Sequence, residues 1–379
     1  MKLYYFLVLL YMLMSCKTVE SPVSVSVTYT DSKVKLSDIA YDYDIIQFES
    51  SAESAIGSIK KLSFMHDVVY VLDKQNNCIL SFDRNGRFLN TSKKLIGKAK
   101  GEYISIEDMA VDEETSMLYV YCDRPNKILI LDSHLELVRE KPLSVFPIEI
   151  TVCGQYLYCY CYEHDDIRKR SLVRMDKDME YDDVEILYQT SETIPGVDTF
   201  GASLCGNGTD RVDFCTPFMN TIISRKGEVV TTHYLDFGNK WFSYEGSEKM
   251  QPREFFRNND DRIWAIKNLC AGERCAIFTT NQSSVFVYDV EEHRCICYKG
   301  IENNMLPLNS PFVVSSQRKD GHVAFCIPVS SVLHIKEERG QIFPLFEQKY
   351  DCRVDSVVES MIDRYTEASN PIVVVYKLK

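Results

Sequence analysis

Short apolar runs separated by turn residues recur along the whole chain. In these runs, valine, isoleucine, tyrosine and phenylalanine alternate with polar residues, and glycine, asparagine or aspartate bound each run. Such alternation is typical of a half-buried strand, whereas an amphipathic helix needs apolar residues about 3.6 positions apart. Almost no segment keeps the helical spacing over a useful length. The pattern therefore predicts an all-β protein.

Two stretches of the chain repeat one pattern. Residues 68–89 read VVYVLDKQNNCILSFDRNGRFL, and residues 117–138 read MLYVYCDRPNKILILDSHLELV. The same offset separates Tyr70 from Tyr119 and Asp83 from Asp132. A period of about 40–50 residues built from short strands is typical of a β-propeller.

We predict a six-bladed β-propeller of four-stranded antiparallel blades over residues 31–379. The predicted units lie at residues 56–100, 104–143, 148–188, 211–237, 262–299 and from 311 onward. In the last unit, the run VLHIKEE is expected to form a strand, and the chain is expected to end on the strand PIVVVYKLK.

The ring is expected to close by pairing of the N- and C-terminal strands. An N-terminal strand at residues 43–48 is the candidate to complete the last blade, because closure removes exposed sheet edges. A seven-bladed ring, with a weak blade in residues 190–208, is the alternative.

The N-terminus has the features of a targeting segment. Lys2 is followed by an apolar run at residues 3–13, too short to span a bilayer as a helix. Leu13-Met14-Ser15-Cys16 resembles a bacterial lipobox, in which the cysteine is acylated and becomes the new N-terminus. We therefore predict a lipoprotein signal peptide at 1–16, an acyl anchor on Cys16 and a polar tether at 17–30. An ordinary signal peptide is the alternative.

Net charge excludes some partners. The chain carries 43 Lys and Arg against 55 Asp and Glu, a net charge of -12. Binding to nucleic acid needs a basic footprint, and so does electrostatic attachment to anionic lipid. We expect no nucleic-acid partner, and we expect a monomer whose only membrane contact is the acyl group on Cys16.

The cysteines predict a buried rather than a metal-binding role. The chain has 14 Cys, so an odd number remains after Cys16, and no C-x-x-C motif occurs. Cys159 and Cys161 lie two apart in one strand-like run, which is awkward geometry for a disulfide between them. We expect most cysteines to be small buried hydrophobes, with one or two disulfides as the alternative.

Charged residues early in the predicted inner strands are the first candidate site. Propellers bind ligands at the mouth of their central channel, and Lys60, Glu107, Asp108 and Glu149 are expected there. Converging carboxylates can hold Ca²⁺ through oxygen ligands, as in propeller lactonases, where the metal activates water. No Asp-x-Asp-x-Asp-Gly loop strengthens this hypothesis. The alternative is that these residues pair with Lys60 or with water.

An aromatic segment is the second candidate site. Trp241, Phe242, Tyr244 and Trp264 lie among asparagine, aspartate and arginine residues. Aromatic faces with polar neighbours suit sugar rings or protein partners. The alternative is an insertion whose aromatic residues form a small satellite core.

Five segments of the chain match a known family: KLSD at 35–38, YVLDKQNNCILSFDRNGRFL at 70–89, IGKAKGEY at 96–103, LDFGNKW at 235–241 and the terminal strand after Asn370. In these segments the chain resembles the NHL-like six-bladed β-propeller lipoproteins of Gram-negative gut anaerobes. It implies the propeller fold and a location in the cell envelope. It implies no reaction, because fold does not dictate function.

Two functions follow as hypotheses. The first is a lipid-anchored binding or scaffold module for a glycan, a peptide or a partner protein, facing the periplasm from the outer membrane or lying at the cell surface. The second is a Ca²⁺-dependent hydrolase or lactonase that uses the channel carboxylates. The first hypothesis needs no cofactor and no catalytic residue.

Overall fold

The computed structural model describes most of the chain. The described residues are 21–162, 170–178, 183–190, 192, 194, 196–197, 203–206, 210–247, 249–272, 274–282, 284–308, 313–317 and 321–379. The predicted signal peptide at residues 1–16, including Cys16, lies outside this described part. No helix within it is both long and apolar enough to cross a membrane.

Four short elements open the described chain, and repeated four-stranded units follow them. The opening elements are β1 (Val23–Tyr29), β2 (Val34–Lys35), the single helical turn α1 (Leu36–Ile39) and β3 (Ala40–Gln47). The first unit contains β4 (Ile59–Met65), β5 (Val68–Asp73), β6 (Cys78–Asp83) and β7 (Phe88–Thr91). The second contains β8 (Ser105–Asp112), β9 (Met117–Arg124), β10 (Asn126–Asp132) and β11 (Leu137–Pro142).

The next three units have the same order. The third contains β12 (Phe146–Cys153), β13 (Tyr156–Tyr162), β14 (Arg170–Asp176) and β15 (Glu185–Thr190). The fourth contains β16 (Ser203–Gly206), β17 (Arg211–Cys215), β18 (Thr221–Lys226) and β19 (Val229–Asp236). The fifth contains β20 (Ile266–Ala271), β21 (Cys275–Thr280), β22 (Val285–Asp289) and β23 (Arg294–Tyr298). Consecutive strands within each unit pair antiparallel.

The sixth unit combines both ends of the chain. After β24 (Ile301–Glu302), which pairs parallel with β2, it contains β25 (Val313–Gln317), β26 (His322–Ile327), β27 (Ile372–Leu378) and, as its outermost strand, β3. The pairs Ile372↔Gln47 and Tyr376↔Tyr43 define the antiparallel register of β27 and β3. The predicted pairing of the N- and C-terminal strands is confirmed.

The first strands of the units surround a common axis. β4, β8, β12, β16, β20 and β25 contact each other in that cyclic order, and β25 pairs parallel with β4. Apolar side chains pack between neighbouring sheets, such as Leu62 and Val375 between the sixth and first units and Tyr121 and Ile150 between the second and third. The protein is therefore all-β and propeller-like.

The aspartates of the sequence repeat have one structural role. Asp83 Oδ1 accepts hydrogen bonds from the backbone N–H groups of Asn85 and Arg87, at 2.9 Å each. Asp132 Oδ1 accepts the equivalent bonds from His134 and Glu136, at 2.8 and 2.9 Å. Each aspartate thus fixes the turn between the third and fourth strands of its unit, as local side-chain hydrogen bonds do.

The predicted tether at residues 17–30 needs correction, because most of its described part is β1. β1 pairs parallel first with β19, as in Val23↔His233, and then with β23, as in Tyr29↔Cys297. The chain alternates valine with serine or threonine from Val23 onward, and Val25 is fully buried. This period of two is the strand signal. β1 joins the outer strands of the fourth and fifth units.

Apart from the single turn α1, the helices of the described chain lie in two insertions. α2 (Pro252–Asn258) lies between the fourth and fifth units, and short 3₁₀ turns occur at Ser92–Leu95 and Gly238–Lys240. Between β26 and β27 lie α3 (Val329–Glu337), α4 (Arg339–Tyr350) and α5 (Ser356–Arg364). The strand predicted for VLHIKEE is therefore wrong. Val332 and Ile335 are both buried, and their spacing places them on one helix face.

The segment of the seven-bladed alternative, residues 190–208, is only partly described. Ser203–Gly206 form β16 of the fourth unit, and 191, 193, 195, 198–202 and 207–208 lie outside the described residues.

The cysteines of the described chain are all free thiols, and most are buried, as expected of small apolar residues. The disulfide alternative finds no pair among them.

Candidate functional site

The inner strands β4 and β8 have β-bulges near their N-terminal ends. The pairing register with the second strand shifts between Ile59 and Lys61 in β4 and between Ile106 and Asp108 in β8. A bulge of this kind inserts one residue and redirects the side chains that follow. Lys60 and Glu107 occupy the inserted positions of neighbouring strands, and their side chains meet.

Glu107 lies between two lysines. Lys60 Nζ is 3.1 Å from Glu107 Oε2, and Lys74 Nζ contacts Oε1. Lys60 and Glu107 are about one-third exposed, and Lys74 is 41% exposed. Burial alone would raise the pKa of Glu107, but the hydrogen bonds and charges of Lys74 and Lys60 outweigh it, and the pKa is lowered. Glu107 is therefore an ionised carboxylate whose two oxygens each have a cationic partner.

A second ion pair lies deeper, and sequence reasoning missed its lysine. Lys61 Nζ is 3.0 Å from Asp108 Oδ2 and donates a hydrogen bond to the Ile150 carbonyl at 2.9 Å. The Ile150 N–H donates to the same Asp108 oxygen at 2.7 Å. Lys61 and Asp108 are both buried. The pair therefore links the inner strands of the first three units.

Glu149 continues the cluster toward the fourth unit. Its Oε2 accepts a hydrogen bond from the Leu204 N–H at 2.8 Å. Burial, together with the negative charge of Asp108, raises the pKa of Glu149 to about 7, although Lys61 acts in the opposite direction. Through its hydrogen bond with Leu204, Glu149 ties β12 to β16.

The four predicted channel residues thus come together, but as links between strands. Lys60 pairs with Glu107, Asp108 with Lys61, and Glu149 with backbone. Among the described residues, no group of three or more His, Cys, Asp or Glu side chains is placed to hold a metal ion. Since each of these carboxylates already has a partner within the protein, this geometry gives the Ca²⁺-dependent hydrolase hypothesis no support.

The predicted aromatic surface is largely a buried cluster. Phe242 and Trp264 are only 6% and 4% exposed, and both pack with Phe218 and Phe255. The Phe218 and Trp264 rings stack with their centroids 5.9 Å apart. The expectation of an exposed face formed by these residues is therefore corrected. The insertion folds back on the fourth and fifth units, where apolar rings gain most from burial.

Trp241 and Tyr244 are partly buried, Tyr244 against this cluster and Trp241 against the neighbouring core cluster that contains Phe237. Trp241 stacks on Phe237 at 5.3 Å, and Tyr244 packs against Phe218 at 5.5 Å. Each ring therefore has an aromatic partner within the protein. They support the insertion that covers the fourth and fifth units.

A cleft between the fifth and sixth units is the remaining candidate, and sequence reasoning did not identify it. Its volume is about 860 Å³. It is bounded by β20, β21, the β2–β24 pair, β25, β26 and the end of α4. Its lining includes Lys33, Lys267, Asn268, Thr279, Thr280, Asn281, Lys299, Glu302, Lys349 and Tyr350.

Among the described residues that line the cleft, Glu302 is the only acidic one. Lys349 Nζ lies 2.6 Å from its Oε1, and the Tyr350 hydroxyl donates to the same oxygen at 2.6 Å. These hydrogen bonds, with the charges of Lys349 and Lys35, lower the pKa of Glu302. Lys299, also in the lining, pairs with the exposed Asp31 at 2.8 Å. The cleft thus combines charged, neutral polar and apolar side chains from segments distant in sequence.

The chain belongs to the family of the domain of unknown function DUF4934, whose sequence profile matches residues 22–377. The match begins at β1, which therefore belongs to the domain. The chain matches none of the curated proteins with which it was compared.

Two solved structures share the fold. A protein of Bacteroides fragilis described as exported has a TM-score of 0.69 and 16% identity, over 94% of this chain and 100% of its own. A member of the DUF4221 family from Bacteroides vulgatus has a TM-score of 0.50 and 10% identity, over 90% of this chain and 97% of its own. Identities this low show the fold alone. The NHL-like lipoprotein family stays a prediction.

Proposed function

We propose that this protein is a six-bladed β-propeller that is anchored to the cell envelope through an acylated Cys16 and binds a ligand without covalent chemistry. The observation that carries the proposal is the open cleft between the fifth and sixth units. Its volume of about 860 Å³ lies within the usual range for a small-molecule or oligomer site. The channel carboxylates, in contrast, already serve to connect inner strands.

The six-bladed assignment is supported by strand order. Each unit is a four-stranded antiparallel sheet, and the inner strands contact each other in a cycle that returns from β25 to β4. The pairing of β3 with β27 supplies the last outer strand. A closed ring removes sheet edges that would otherwise aggregate, and it holds the rim residues at fixed separations.

The envelope location is supported by two observations. The lipobox-like sequence ends at Cys16, and the similar protein from Bacteroides fragilis is described as exported. An anchored binding module would face the periplasm from the outer membrane or lie at the cell surface. Its ligand would be a glycan, a peptide or a partner protein.

The test is a binding screen with site variants. The purified protein is titrated by calorimetry with a panel of neutral oligosaccharides, acidic oligosaccharides and short peptides. We expect at least one class to bind. The Tyr350→Ala variant, changed in the cleft, should bind at least tenfold more weakly, roughly 1.4 kcal/mol. The Glu107→Gln variant, changed in the channel, should bind as the native protein does.

Two outcomes would overturn the proposal. One is that no member of the panel binds. The other is that binding survives Tyr350→Ala and fails in Glu107→Gln, which would move the site to the channel. Thermal unfolding of both variants shows whether a loss of binding reflects a loss of folding.

A further inference from the structure

The cleft carries a positive charge on a negatively charged protein. Its described lining contains Lys33, Lys267, Lys299 and Lys349 against Glu302 alone. The whole chain has a net charge of -12, so this local excess of cations runs against the overall composition. Like charges that gather in one concave site concentrate ligands of the opposite charge.

Two of the lysines that line the cleft have acidic partners, and each can still donate further hydrogen bonds. Lys349 pairs with Glu302, and Lys299 pairs with Asp31, whose side chain is 94% exposed. An ammonium group has three N–H donors, and one contact with a carboxylate oxygen uses one of them. Exposed ion pairs are also weak, so a better-placed anion competes with them readily.

Lys267 lies deeper than the other three lysines. It is partly buried, and its Nζ is 5.5 Å from the centroid of the Trp264 ring. Burial lowers the pKa of Lys267. A nearby anion favours the charged form of an ammonium group, so an anion bound in the cleft would raise this pKa.

Several neutral polar side chains of the lining are committed to the fold. Asn281 accepts from the Trp264 N–H and donates to the Arg262 carbonyl. Asn303 donates to the Leu308 carbonyl and to the Tyr376 hydroxyl. These amides hold the walls of the cleft, and the lysines give its lining an excess of positive charge that can recognise an anionic ligand.

An oligosaccharide fits the volume of the cleft and its neutral lining residues. The cleft volume of about 860 Å³ exceeds the needs of a single small anion. The exposed Asn268 amide, bonded to Thr279, and the Tyr350 ring give sugar hydroxyls and a sugar face suitable neighbours.

We infer that the cleft between the fifth and sixth units binds an acidic oligosaccharide, whose carboxylate groups contact Lys33, Lys267 and Lys299. This inference rests on the proposed binding function and adds the chemical class of the ligand. The lysines supply the charge recognition, and Asn268, Thr279 and Tyr350 contact the sugar rings.

The experiment compares three probes of matched length by calorimetry: an oligogalacturonate, a neutral galacto-oligosaccharide and an oligoglutamate peptide. The native protein should bind the oligogalacturonate, and higher salt should weaken this binding because it screens the charges. Lys33→Gln and Lys267→Gln should each weaken it about tenfold. Lys98→Gln removes the same charge at an exposed position at the junction of the first and second units and should have no effect.

Each other outcome overturns a defined part of the inference. Equal binding of the neutral oligosaccharide, weakened by Tyr350→Ala, would exclude charge recognition and leave the proposed function intact. Tighter binding of oligoglutamate would replace the glycan with an acidic peptide. No binding of any probe would overturn the inference, while binding of another panel member would still support the proposed function. If Lys267→Gln fails to fold, the binding of oligogalacturonate by Lys33→Gln, changed at an exposed residue, tests the inference.

Discussion

At the residue scale, neighbouring charges in the channel have different environments. Lys60 is about one-third exposed and shares Glu107 with Lys74, whereas Lys61 is buried against Asp108. A charge pair at the surface contributes little to stability. In a buried pair, the loss of one partner leaves an uncompensated charge and costs about 3–5 kcal/mol. The deeper pair therefore matters more for the position of the inner strands.

Glu149 gives a prediction about pH. Burial raises the pKa of its carboxyl from 4.5 to about 7 in the folded chain. Between these values the unfolded chain has lost this proton and the folded chain keeps it, so the free energy of unfolding falls as the pH rises. We expect Glu149→Gln to remove this loss and to be more stable than the native protein at pH 8, by roughly 1–3 kcal/mol. Urea unfolding at pH 4.5 and 8 measures the difference.

Glu107→Gln is the matched control, because its pKa shift has the opposite sign. The pKa of Glu107 is lowered, so its ionised form stabilises the fold above the pKa of the unfolded chain and this gain is lost as the pH falls. This variant should be less stable than the native protein at pH 8 and nearly equal in acid. A Glu149→Gln variant that is less stable at pH 8 would contradict the prediction.

Part of this cluster was predictable from the sequence. Positions early in the inner strands identified Lys60, Glu107, Asp108 and Glu149. Lys61 was missed because regular alternation places it on the face opposite Lys60, and only the bulge redirects it. No local sequence signal marks a bulge at this position. The partners of each carboxylate could not be predicted, since they lie in other units.

At the element scale, alternating runs of apolar and polar residues predicted strands correctly, whereas the run VLHIKEE and the aromatic segment near Trp264 were misread. The alternating runs predicted most strands of the first three units. The run VLHIKEE has too few residues to separate a buried helix from a strand by spacing. The aromatic segment near Trp264 has the composition of a binding surface, yet its burial depends on how the insertion folds back. Composition does not encode that direction.

A pair of substitutions in β1 tests whether residues 23–29 form a packed strand or a tether. Val25 is fully buried between the fourth and fifth units, whereas the adjacent Ser24 is exposed. Val25→Asp would bury an unpaired charge, and we expect a loss of about 3 kcal/mol or more in the free energy of unfolding. Ser24→Asp, with the same new side chain, should change it by less than about 0.5 kcal/mol. Denaturant unfolding checks both. Equal, small effects would show that residues 23–29 act as a tether.

At the scale of the whole molecule, the repeat predicted the architecture, but the cleft could not be predicted. Its lysines come from the segment before β2, from β20, from the end of β23 and from α4. These segments are separated by up to several hundred residues in the chain. Only the ring brings them together, so no motif of local spacing could reveal the site.

Anchoring of the whole molecule is tested at Cys16. The full chain, expressed in a Gram-negative host with labelled palmitate, should take up the label and sediment with membranes. Cys16→Ser should abolish both, because the acyl group requires that thiol. Cys352→Ser, which removes an exposed thiol far from the N-terminus, should keep both. Label on the Cys16→Ser protein, or none on the native protein, would contradict the anchor.

The pairing of β3 with β27 also sets an order in time. During synthesis, the residues around Asp42 leave the ribosome long before their partner Lys377 is made. Joining such distant segments is entropically costly and slow. β3 must therefore wait, unpaired, until β27 has left the ribosome, and β1 must wait for β19 and β23. The sixth unit is therefore completed after the strands of the other five have emerged.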